Sequence, residues 1–324
     1  MKIKICIAGV GNWGKNHLKT ALSILPAEDV FVYDSGKNSD DLIKLGALPQ
    51  NILESFDHLL DNREINAVVV ATPAETHYPV TKALLEAGKN VLVEKPMSLN
   101  SAEAEELTVL AERKNLKLMV GHVLLYHPAV RKMKEEIRGG RIGKLQYMYS
   151  NRLNLGTLRT EENILWSFAP HDVSIFQYLT ESMPEKVTAR GAVFLTNDIE
   201  DTTFTYLEYP ENVHGHIFVS WLHPFKEQRL VVVGDAGMLV FDDTVKSEKL
   251  KFYKKGFRDN QGTFQKFDED YTPVEFPEGQ PLATEQKSFI ENILNDTKPL
   301  TDGNHGVMVL KILEMAQQKL KENG

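Results

Sequence analysis

Three glycines near the start of the chain have the spacing of a phosphate-binding turn. Glycine allows a tight turn and lets the backbone approach a pyrophosphate, and a helix that begins there offers free N–H groups. The motif follows a short apolar run and precedes a helical pattern, which is the context that makes it specific. It predicts a dinucleotide site formed by Gly9, Gly11, Asn12, Trp13 and Gly14.

An acidic residue follows this motif at the distance needed to hold a ribose. Asp34 directly follows the apolar run at positions 31–33. A carboxylate there accepts hydrogen bonds from the adenosine ribose and repels a 2′-phosphate. Asp34 therefore favours NAD, and NADP is the less favoured cofactor, although the nearby Lys37 weakens that preference. The alternative is a glycine turn and a loop aspartate that bind nothing.

Two further residues have the chemistry of acid–base catalysis. Lys95, in the triplet Glu94-Lys95-Pro96, ends an apolar run, and catalytic groups of α/β proteins gather at strand ends. His171 stands where we expect a helix to begin, and an imidazole titrates near neutral pH. Asp172 beside it suits the first turn of a helix and is a candidate for substrate contact. A surface lysine and a helix-capping histidine are the alternative interpretations.

Polar residues cluster on one predicted strand shortly before His171. Arg152 and Asn154 alternate onto one side of that strand, and Arg159 lies in the loop beyond it. Because a guanidinium makes bidentate contacts with phosphate or carboxylate, these residues predict an anionic substrate. A solvated strand end is the alternative. Tyr126 is a further candidate for substrate contact.

The elements that must position these residues fall into two groups. Through residue 121, short apolar runs alternate with helical patterns, which predicts a doubly wound parallel sheet. Beyond it, β-branched and aromatic runs joined by turn signals predict an open, mainly antiparallel sheet. The predicted fold is α/β, with a Rossmann domain over 1–122 and an α+β domain over 123–324 for substrate binding and oligomerisation. The last helix is a candidate to pack back on the first domain.

Two local expectations concern the second domain. The pattern predicts a helix over 171–179, with Pro170 in its first turn. The segment 254–281 is rich in Gly, Asp, Lys and Phe, and we expect it to be a long surface loop.

The composition of the chain excludes several classes of binding partner. The chain has 324 residues and a net charge of −8, so it has no general attraction to nucleic acid or anionic membranes. With Cys6 as its one cysteine it forms no internal disulfide. The chain shows no run of about 20 apolar residues for a membrane span and no signal-peptide pattern, so we expect a cytoplasmic protein. Histidines on the predicted strands lack matching ligand spacing, so no metal is expected.

The order of these motifs resembles the glucose–fructose oxidoreductase, inositol dehydrogenase and MocA family over essentially the whole chain. The resemblance implies that Lys95 contacts the reacting hydroxyl beside the nicotinamide and that the peptide bond to the following proline is cis. It also implies that His171 is the general base. Where the family often has an aspartate four residues earlier, this chain has Ser167. Further cofactor contacts implied are Thr72, Pro73, His77 and Glu94.

Within that family, residues 150–172 resemble the UDP-N-acetylglucosaminuronate 3-dehydrogenases. This resemblance implies oxidation of C3 of a nucleotide-linked sugar for surface polysaccharides, by a homodimer or homotetramer. Another sugar or inositol dehydrogenase and a 3-ketosugar reductase are alternatives within the family. A non-catalytic NAD-binding sensor is the alternative from another class. Recycling of bound cofactor by 2-oxoglutarate is left open.

Overall fold

The chain folds into two compact units. A computed structural model describes residues 2–323. The first unit contains the residues up to Tyr126 together with Gly279–Leu310, and the second contains His127–Glu278 and the residues from Lys311 onward.

The first unit is built on a five-stranded parallel sheet in the order β2-β1-β3-β4-β5. Nearly every residue of these strands is buried, as expected where helices cover both faces of a sheet. This confirms the predicted Rossmann sheet. The strands are β1 (Ile5–Ala8), β2 (Val30–Tyr33), β3 (Ala67–Val70), β4 (Asn90–Glu94) and β5 (Leu118–Gly121).

Helices follow these strands in alternation, and the fourth and fifth of them have clear capping residues. Asn100 accepts a hydrogen bond of 2.9 Å from the backbone N–H of Glu103 at the start of the fifth helix. Gly88 has φ +79° just after the fourth, so it ends that helix in the left-handed region that glycine favours. The helices are α1 (Gly14–Ile24), α2 (Ser39–Lys44), α3 (Phe56–Asp61), α4 (Ala74–Glu86) and α5 (Ser101–Arg113).

A later segment of the chain completes the first unit. Helix α8 (Pro281–Leu294) packs against α1 and the short turn Val123–Tyr126. Thr301 then binds Val120 twice: its carbonyl accepts from the Val120 N–H at 2.7 Å, and its hydroxyl donates to the Val120 carbonyl at 2.7 Å. The Rossmann sheet is therefore finished by residues far along the sequence.

The second unit is built on an eight-stranded sheet in the order β13-β12-β11-β10-β6-β9-β8-β7. Strands β6 and β9 pair in parallel and the other pairs are antiparallel, which confirms the predicted, mainly antiparallel sheet. The strands are β6 (Leu145–Leu155), β7 (Lys186–Ala192), β8 (Thr202–Tyr209), β9 (Val213–Ser220), β10 (Leu222–Gly234), β11 (Met238–Asp242), β12 (Leu250–Asn260) and β13 (Thr263–Pro273). The unit also contains α6 (Pro128–Arg138) and α7 (Ile164–Thr180). Helix α9 (Gly303–Asn323) is shared, because its residues up to Leu310 belong to the first unit and those from Lys311 belong to the second.

Helix α7 covers one face of this sheet and begins earlier than predicted. It packs against β6, β8 and β9. Its N-cap is Asn163, whose side chain accepts from the Trp166 N–H at 3.2 Å. Pro170 therefore lies inside the helix and His171 is not at its start, so that expectation was wrong. Proline was given too much weight as a start signal, and the Asn cap too little.

The expected loop over 254–281 was also wrong for most of its length. Strands β12 and β13 form a long hairpin that turns at Gln261 and Gly262, both with positive φ. Its two faces are largely exposed, so it lacks the alternation of apolar residues that marks a strand. Among residues 2–323, no helix combines the length and apolar character needed to cross a membrane.

Candidate functional site

The glycine turn of the first unit has the open backbone surface that a phosphate needs. A Cβ on Gly9, which has φ +87°, would lie 2.8 Å from the Thr72 backbone nitrogen, and one on Gly14 would lie 1.9 Å from the Gly9 carbonyl oxygen. A Cβ on Gly11 would meet no atom within 4 Å. Two glycines are thus required by close packing, while Gly11 faces open space. These residues fit a dinucleotide pyrophosphate at the start of α1.

Asp34 lies at the end of β2 and binds the glycine turn directly. Its Oδ2 accepts from the Val10 N–H at 2.6 Å, and its Oδ1 accepts from the Gly36 and Lys37 N–H groups at 2.9 Å each. A carboxylate has about four acceptor positions, so one remains for a ribose hydroxyl. Asp34 therefore shapes the turn as well as offering the predicted ribose contact, which stays a prediction.

His77 joins the loops that follow β3 and β4. The side chain is buried, with Nδ1 2.7 Å from the Pro96 carbonyl oxygen and Nε2 2.8 Å from the Thr72 carbonyl oxygen. The Thr76 hydroxyl donates to the Thr72 hydroxyl at 2.7 Å, and Pro73 is the N-cap residue that precedes α4. The structure thus gives His77 a bridging position that holds Thr72 and Pro73, the predicted cofactor contacts.

Glu94, the last residue of β4, accepts three N–H donors. The Trp13 indole and the His17 imidazole both reach its Oε1, the imidazole Nε2 at 2.8 Å, and the Lys95 backbone N–H reaches its Oε2 at 3.1 Å. Gln286 of α8 in turn contacts His17, with 2.9 Å between its Nε2 and Nδ1. We call Trp13, His17, Glu94, Gln286 and the Lys95 backbone the Glu94 network.

The Glu94 carboxylate stays ionised although its side chain is buried. Burial by itself raises the pKa of this group, but the hydrogen bond and charge of His17, the positive charge of Lys95 and the bond from Trp13 outweigh it, so the net pKa is lowered. Gly121 of β5 makes room for this carboxylate, since a Cβ there would come within 3.0 Å of it. Glu94 therefore acts through its neighbours, fixing the glycine turn and the Lys95 backbone.

Lys95 lies at the carboxyl end of β4, where the sequence places it, and is half-buried. The Lys95–Pro96 peptide is cis, as the family resemblance implies. His122, just after β5, is electrostatically coupled to this lysine. Burial first, then His305 and Lys95, lower the pKa of His122 well below its usual range. The rings of His122 and His305 meet edge to face at 5.3 Å.

Sequence reasoning found part of the Glu94 network. It identified Trp13, Glu94 and Lys95, but not His17, Gln286 or the effect of Lys95 on His122. One usable signal was the helical spacing of Trp13 and His17, which are four residues apart and so share a face of α1. Gln286 had no such signal, because packing brings it to His17 across most of the chain.

In the second unit, Asp172 of α7 is held by two residues of β6. Arg152 donates to it twice, Nε to Oδ2 at 2.8 Å and Nη2 to Oδ1 at 3.0 Å, and the Ser150 hydroxyl donates to Oδ1 at 2.5 Å. The Asp172 side chain is 2% exposed. Arg152 is thus engaged inside the unit, and the pair fixes the turn of α7 that carries the half-buried His171.

The other predicted substrate residues lie in different surroundings. Within residues 2–323, the buried Oδ1 of Asn154 has no hydrogen-bond partner, and Arg159 is exposed. Tyr126 is fully buried, and its hydroxyl lies 3.2 Å from the Thr301 hydroxyl. Because this packing keeps its ring from a ligand, we leave Tyr126 out of the proposed substrate contacts. The described residues contain no group of three or more His, Cys, Asp or Glu placed to hold a metal.

Comparison with protein families matches both units. Residues 3–122 match the family profile of the oxidoreductase family with an NAD-binding Rossmann fold. Residues 130–240 match the profile of the GFO/IDH/MocA C-terminal domain.

Two of the individual relatives are a nucleotide-sugar dehydrogenase and an inositol dehydrogenase. A UDP-N-acetylglucosamine 3-dehydrogenase of Acidithiobacillus ferrooxidans is 29% identical over 61% of this chain and 60% of its own length. A myo-inositol 2-dehydrogenase of Thermotoga maritima is 23% identical over 99% of this chain and 97% of its own. The crystal structure of the Acidithiobacillus enzyme superposes with a TM-score of 0.82, at 23% identity, over 98% of this chain and 97% of that one.

Proposed function

Because this chain belongs to the Gfo/Idh/MocA family of NAD(P)-dependent dehydrogenases that act on CH–OH groups, we propose that it oxidises a sugar hydroxyl to a ketone. The observation that carries the proposal is the Glu94 network. In it, one buried carboxylate holds both Trp13 of the glycine turn and the Lys95 backbone, whose N–H lies 3.1 Å from Oε2. The proposed cofactor site and the proposed catalytic lysine are thereby fixed to one another.

Lys95 and His171 take different parts in the proposed reaction. Lys95 hydrogen-bonds the reacting hydroxyl and stabilises negative charge as it develops on the oxygen. His171 accepts the hydroxyl proton as general base. The nicotinamide, when bound, accepts the hydride from the carbon. Arg152 and Asp172 serve as positioning residues for His171 through the bidentate pair on α7.

NAD is the proposed cofactor. Asp34 places a carboxylate at the end of β2, beside the glycine turn, and its Oδ2 is 2.6 Å from the Val10 nitrogen. A 2′-phosphate at the adenosine ribose would meet that negative charge. We therefore expect tighter binding of NADH than of NADPH.

The proposed substrate is a UDP-linked N-acetyl sugar, with a uronic acid oxidised at C3 as the first choice for a surface-polysaccharide precursor. The relative that acts on UDP-N-acetylglucosamine supports this class. Arg159 is exposed and offers a guanidinium to phosphate or carboxylate, and the unpartnered Asn154 amide oxygen suits a sugar hydroxyl. We do not propose Arg152 as a phosphate- or carboxylate-binding residue, because its guanidinium is hydrogen-bonded to Asp172. Myo-inositol is the second candidate, supported by the full-length inositol dehydrogenase relative.

The test is reduced-nicotinamide formation from NAD with UDP-N-acetylglucosaminuronate, UDP-N-acetylglucosamine, glucose and myo-inositol. Each is assayed with and without 2-oxoglutarate, and the ketosugar direction is assayed with NADH. Turnover confined to UDP-linked sugars supports the proposed substrate. Turnover of free sugar or inositol alone replaces it with the second candidate.

Two variants test the chemistry. We expect Lys95→Met and His171→Asn each to lower kcat by about 100-fold or more, while NADH affinity changes less than about threefold. Lys44→Met, on an exposed lysine of the same unit, is the matched control and keeps wild-type kcat. NADH binding without turnover in either direction would favour the sensor over the enzyme.

We further propose that two copies of the chain pair through the open face of the eight-stranded sheet. On the face away from α7, aromatic residues and histidines from β6, β8 and β9 form continuous rows. Tyr149 stacks on His216 at 5.2 Å, and the Phe204 ring lies 4.9 Å from the same histidine. Phe204 remains 41% exposed. A broad aromatic face of this kind is typical of a homodimer interface.

A further inference from the structure

Gln286 of α8 is fully buried and is hydrogen-bonded through one end of its amide. The amide nitrogen Nε2 lies 2.9 Å from His17 Nδ1 and donates to the His17 carbonyl oxygen at 3.1 Å. The amide oxygen Oε1 has no hydrogen-bond partner among residues 2–323. A buried carbonyl without a partner costs free energy that an apolar side chain of the same length would not cost. The contribution of this residue therefore lies in the N–H groups that it offers to His17.

These contacts determine which nitrogen of His17 carries the ring proton. Because a carbonyl oxygen only accepts, the end of the Gln286 amide that faces it is the nitrogen, which only donates. His17 Nδ1 is therefore the acceptor of the second N–H group, and the ring proton is on Nε2. His17 Nε2 lies 2.8 Å from Glu94 Oε1 and donates to it. In the other tautomer, the lone pair of Nε2 would face the carboxylate.

The same carboxylate oxygen also holds a side chain of the glycine turn. The Trp13 indole N–H donates to Glu94 Oε1, and the rings of Trp13 and His17 meet edge to face at 6.2 Å. Trp13 lies between Gly11 and Gly14 and is the N-cap residue of α1. The orientation of the imidazole therefore affects where the carboxylate and the indole lie, at the turn that fits the dinucleotide.

We propose that Gln286 is a positioning residue for NAD(P) binding, which holds His17 in the tautomer that donates to Glu94. Through this chain of hydrogen bonds, Gln286 fixes Trp13 in the glycine turn without touching the cofactor itself. When the amide donor is removed, the ring proton is no longer confined to Nε2, and Glu94 loses a defined donor. This inference concerns the NAD(P)-binding unit and needs no sugar, so its failure is distinct from a failure of the proposed substrate.

The first test examines the full chain without cofactor, labelled with ¹⁵N-tryptophan. Gln286→Met removes the donor and keeps the length of the side chain. We expect it to shift the indole N–H resonance of Trp13, which is identified by its loss in Trp13→Phe, and to leave those of Trp166 and Trp221 in place. Asn292→Leu is the matched control, because it removes another buried amide of α8 that has an unpartnered oxygen, and it should move none of the three. An unmoved Trp13 resonance in Gln286→Met overturns the proposal.

The second test measures NADH binding by nicotinamide fluorescence. We expect Gln286→Met to raise the Kd about five- to tenfold, as for the loss of one hydrogen bond, and Asn292→Leu to change it less than about twofold. His17→Gln keeps an N–H donor for the carboxylate but has no tautomers. In that background, Gln286→Met should change the Kd less than about twofold, because the two residues act through one contact. An equal effect of Gln286→Met in both backgrounds would show that Gln286 acts through packing alone, which overturns the proposal.

A third measurement needs only a folded wild type, so it stays decisive if Gln286→Met does not fold. In the chain labelled with ¹⁵N-histidine, the two ring nitrogens of each histidine give separate signals that report the tautomer. The signals of His17 are those lost in His17→Gln. We expect a protonated Nε2 and an unprotonated Nδ1 at neutral pH. A proton on Nδ1 of His17 contradicts the proposal.

Discussion

Asp172 is a buried carboxylate whose charge is balanced by one guanidinium. Arg152 contributes two hydrogen bonds of 2.8 and 3.0 Å to it, and Ser150 contributes one of 2.5 Å. Removing Arg152 alone leaves that charge with a single hydroxyl donor. We therefore expect Arg152→Met to lower the free energy of unfolding by about 3–5 kcal/mol, measured by urea denaturation of the full chain.

A double variant separates the lost pair from lost packing. Arg152→Met with Asp172→Asn removes both charges and should recover most of the stability, because no buried ion is left unpaired. Arg229→Met breaks a more exposed pair with Asp242 and should cost less than about 1 kcal/mol. A raised KM for substrate with unchanged stability in Arg152→Met would instead restore Arg152 as an anion-binding residue.

At the scale of single residues, the sequence predicts those that act through local motifs and misses those that packing brings together. Gly9, Gly11 and Lys95 follow from spacing and from strand ends. The partners of Glu94 come from α1 and α8, and Gln286 reaches His17 across 269 positions of the chain. No local pattern encodes such a contact.

Helix α7 carries the proposed general base His171, so we expect the capping of this helix to affect both stability and activity. The Asn163 side chain accepts from the Trp166 N–H at 3.2 Å, and its amide donates to Glu200 at 2.6 Å and to Gln317 at 2.9 Å. We expect Asn163→Ala to destabilise the chain by about 1–2 kcal/mol, because a cap and buried bonds are lost. It should also lower kcat about tenfold while NADH affinity stays unchanged.

Ser55→Ala is the matched control for Asn163→Ala, because it also removes a helix N-cap. Ser55 caps α3 in the first unit, accepting from the His58 N–H at 3.1 Å on an exposed surface. Its loss should cost about 1 kcal/mol without any change in kcat. If both cap variants reduce kcat equally, α7 has no special role in holding His171.

Elements with strong periodicity were predicted to within a few residues, and those without it were not. The parallel strands of the first unit are continuous apolar runs, and the run at positions 31–33 lies within β2 (Val30–Tyr33). The β12–β13 hairpin escapes such reasoning because both faces are largely exposed. Cross-strand pairs stabilise it instead, such as Lys255 with Asp268 at 2.8 Å. Opposite charges on paired strands are a usable signal only once the pairing is known.

At the scale of the whole molecule, the two faces of the large sheet differ in what covers them. Residues of β8 alternate: Thr203, Thr205 and Leu207 are buried on the face under α7, while Phe204 and Tyr206 point the other way. Tyr206 donates to or accepts from His214 Nδ1 at 3.0 Å, and Tyr147 pairs with His216 Nδ1 at 2.6 Å. These two tyrosine–histidine pairs satisfy each other within the sheet, which leaves the rings of this face available for an apolar contact.

If two copies pair through this face, a charge at its exposed ring should separate them. We expect the wild type to sediment as a dimer or tetramer at micromolar concentration, and Phe204→Lys to shift it toward the monomer, because a lysine buried at the interface lacks a partner. Phe264→Lys, at a phenylalanine on the β12–β13 hairpin that is 72% exposed, should leave the assembly unchanged. A monomeric wild type would show that the copies do not pair. An assembly that resists Phe204→Lys and dissociates with Phe264→Lys would place the contact on the hairpin instead.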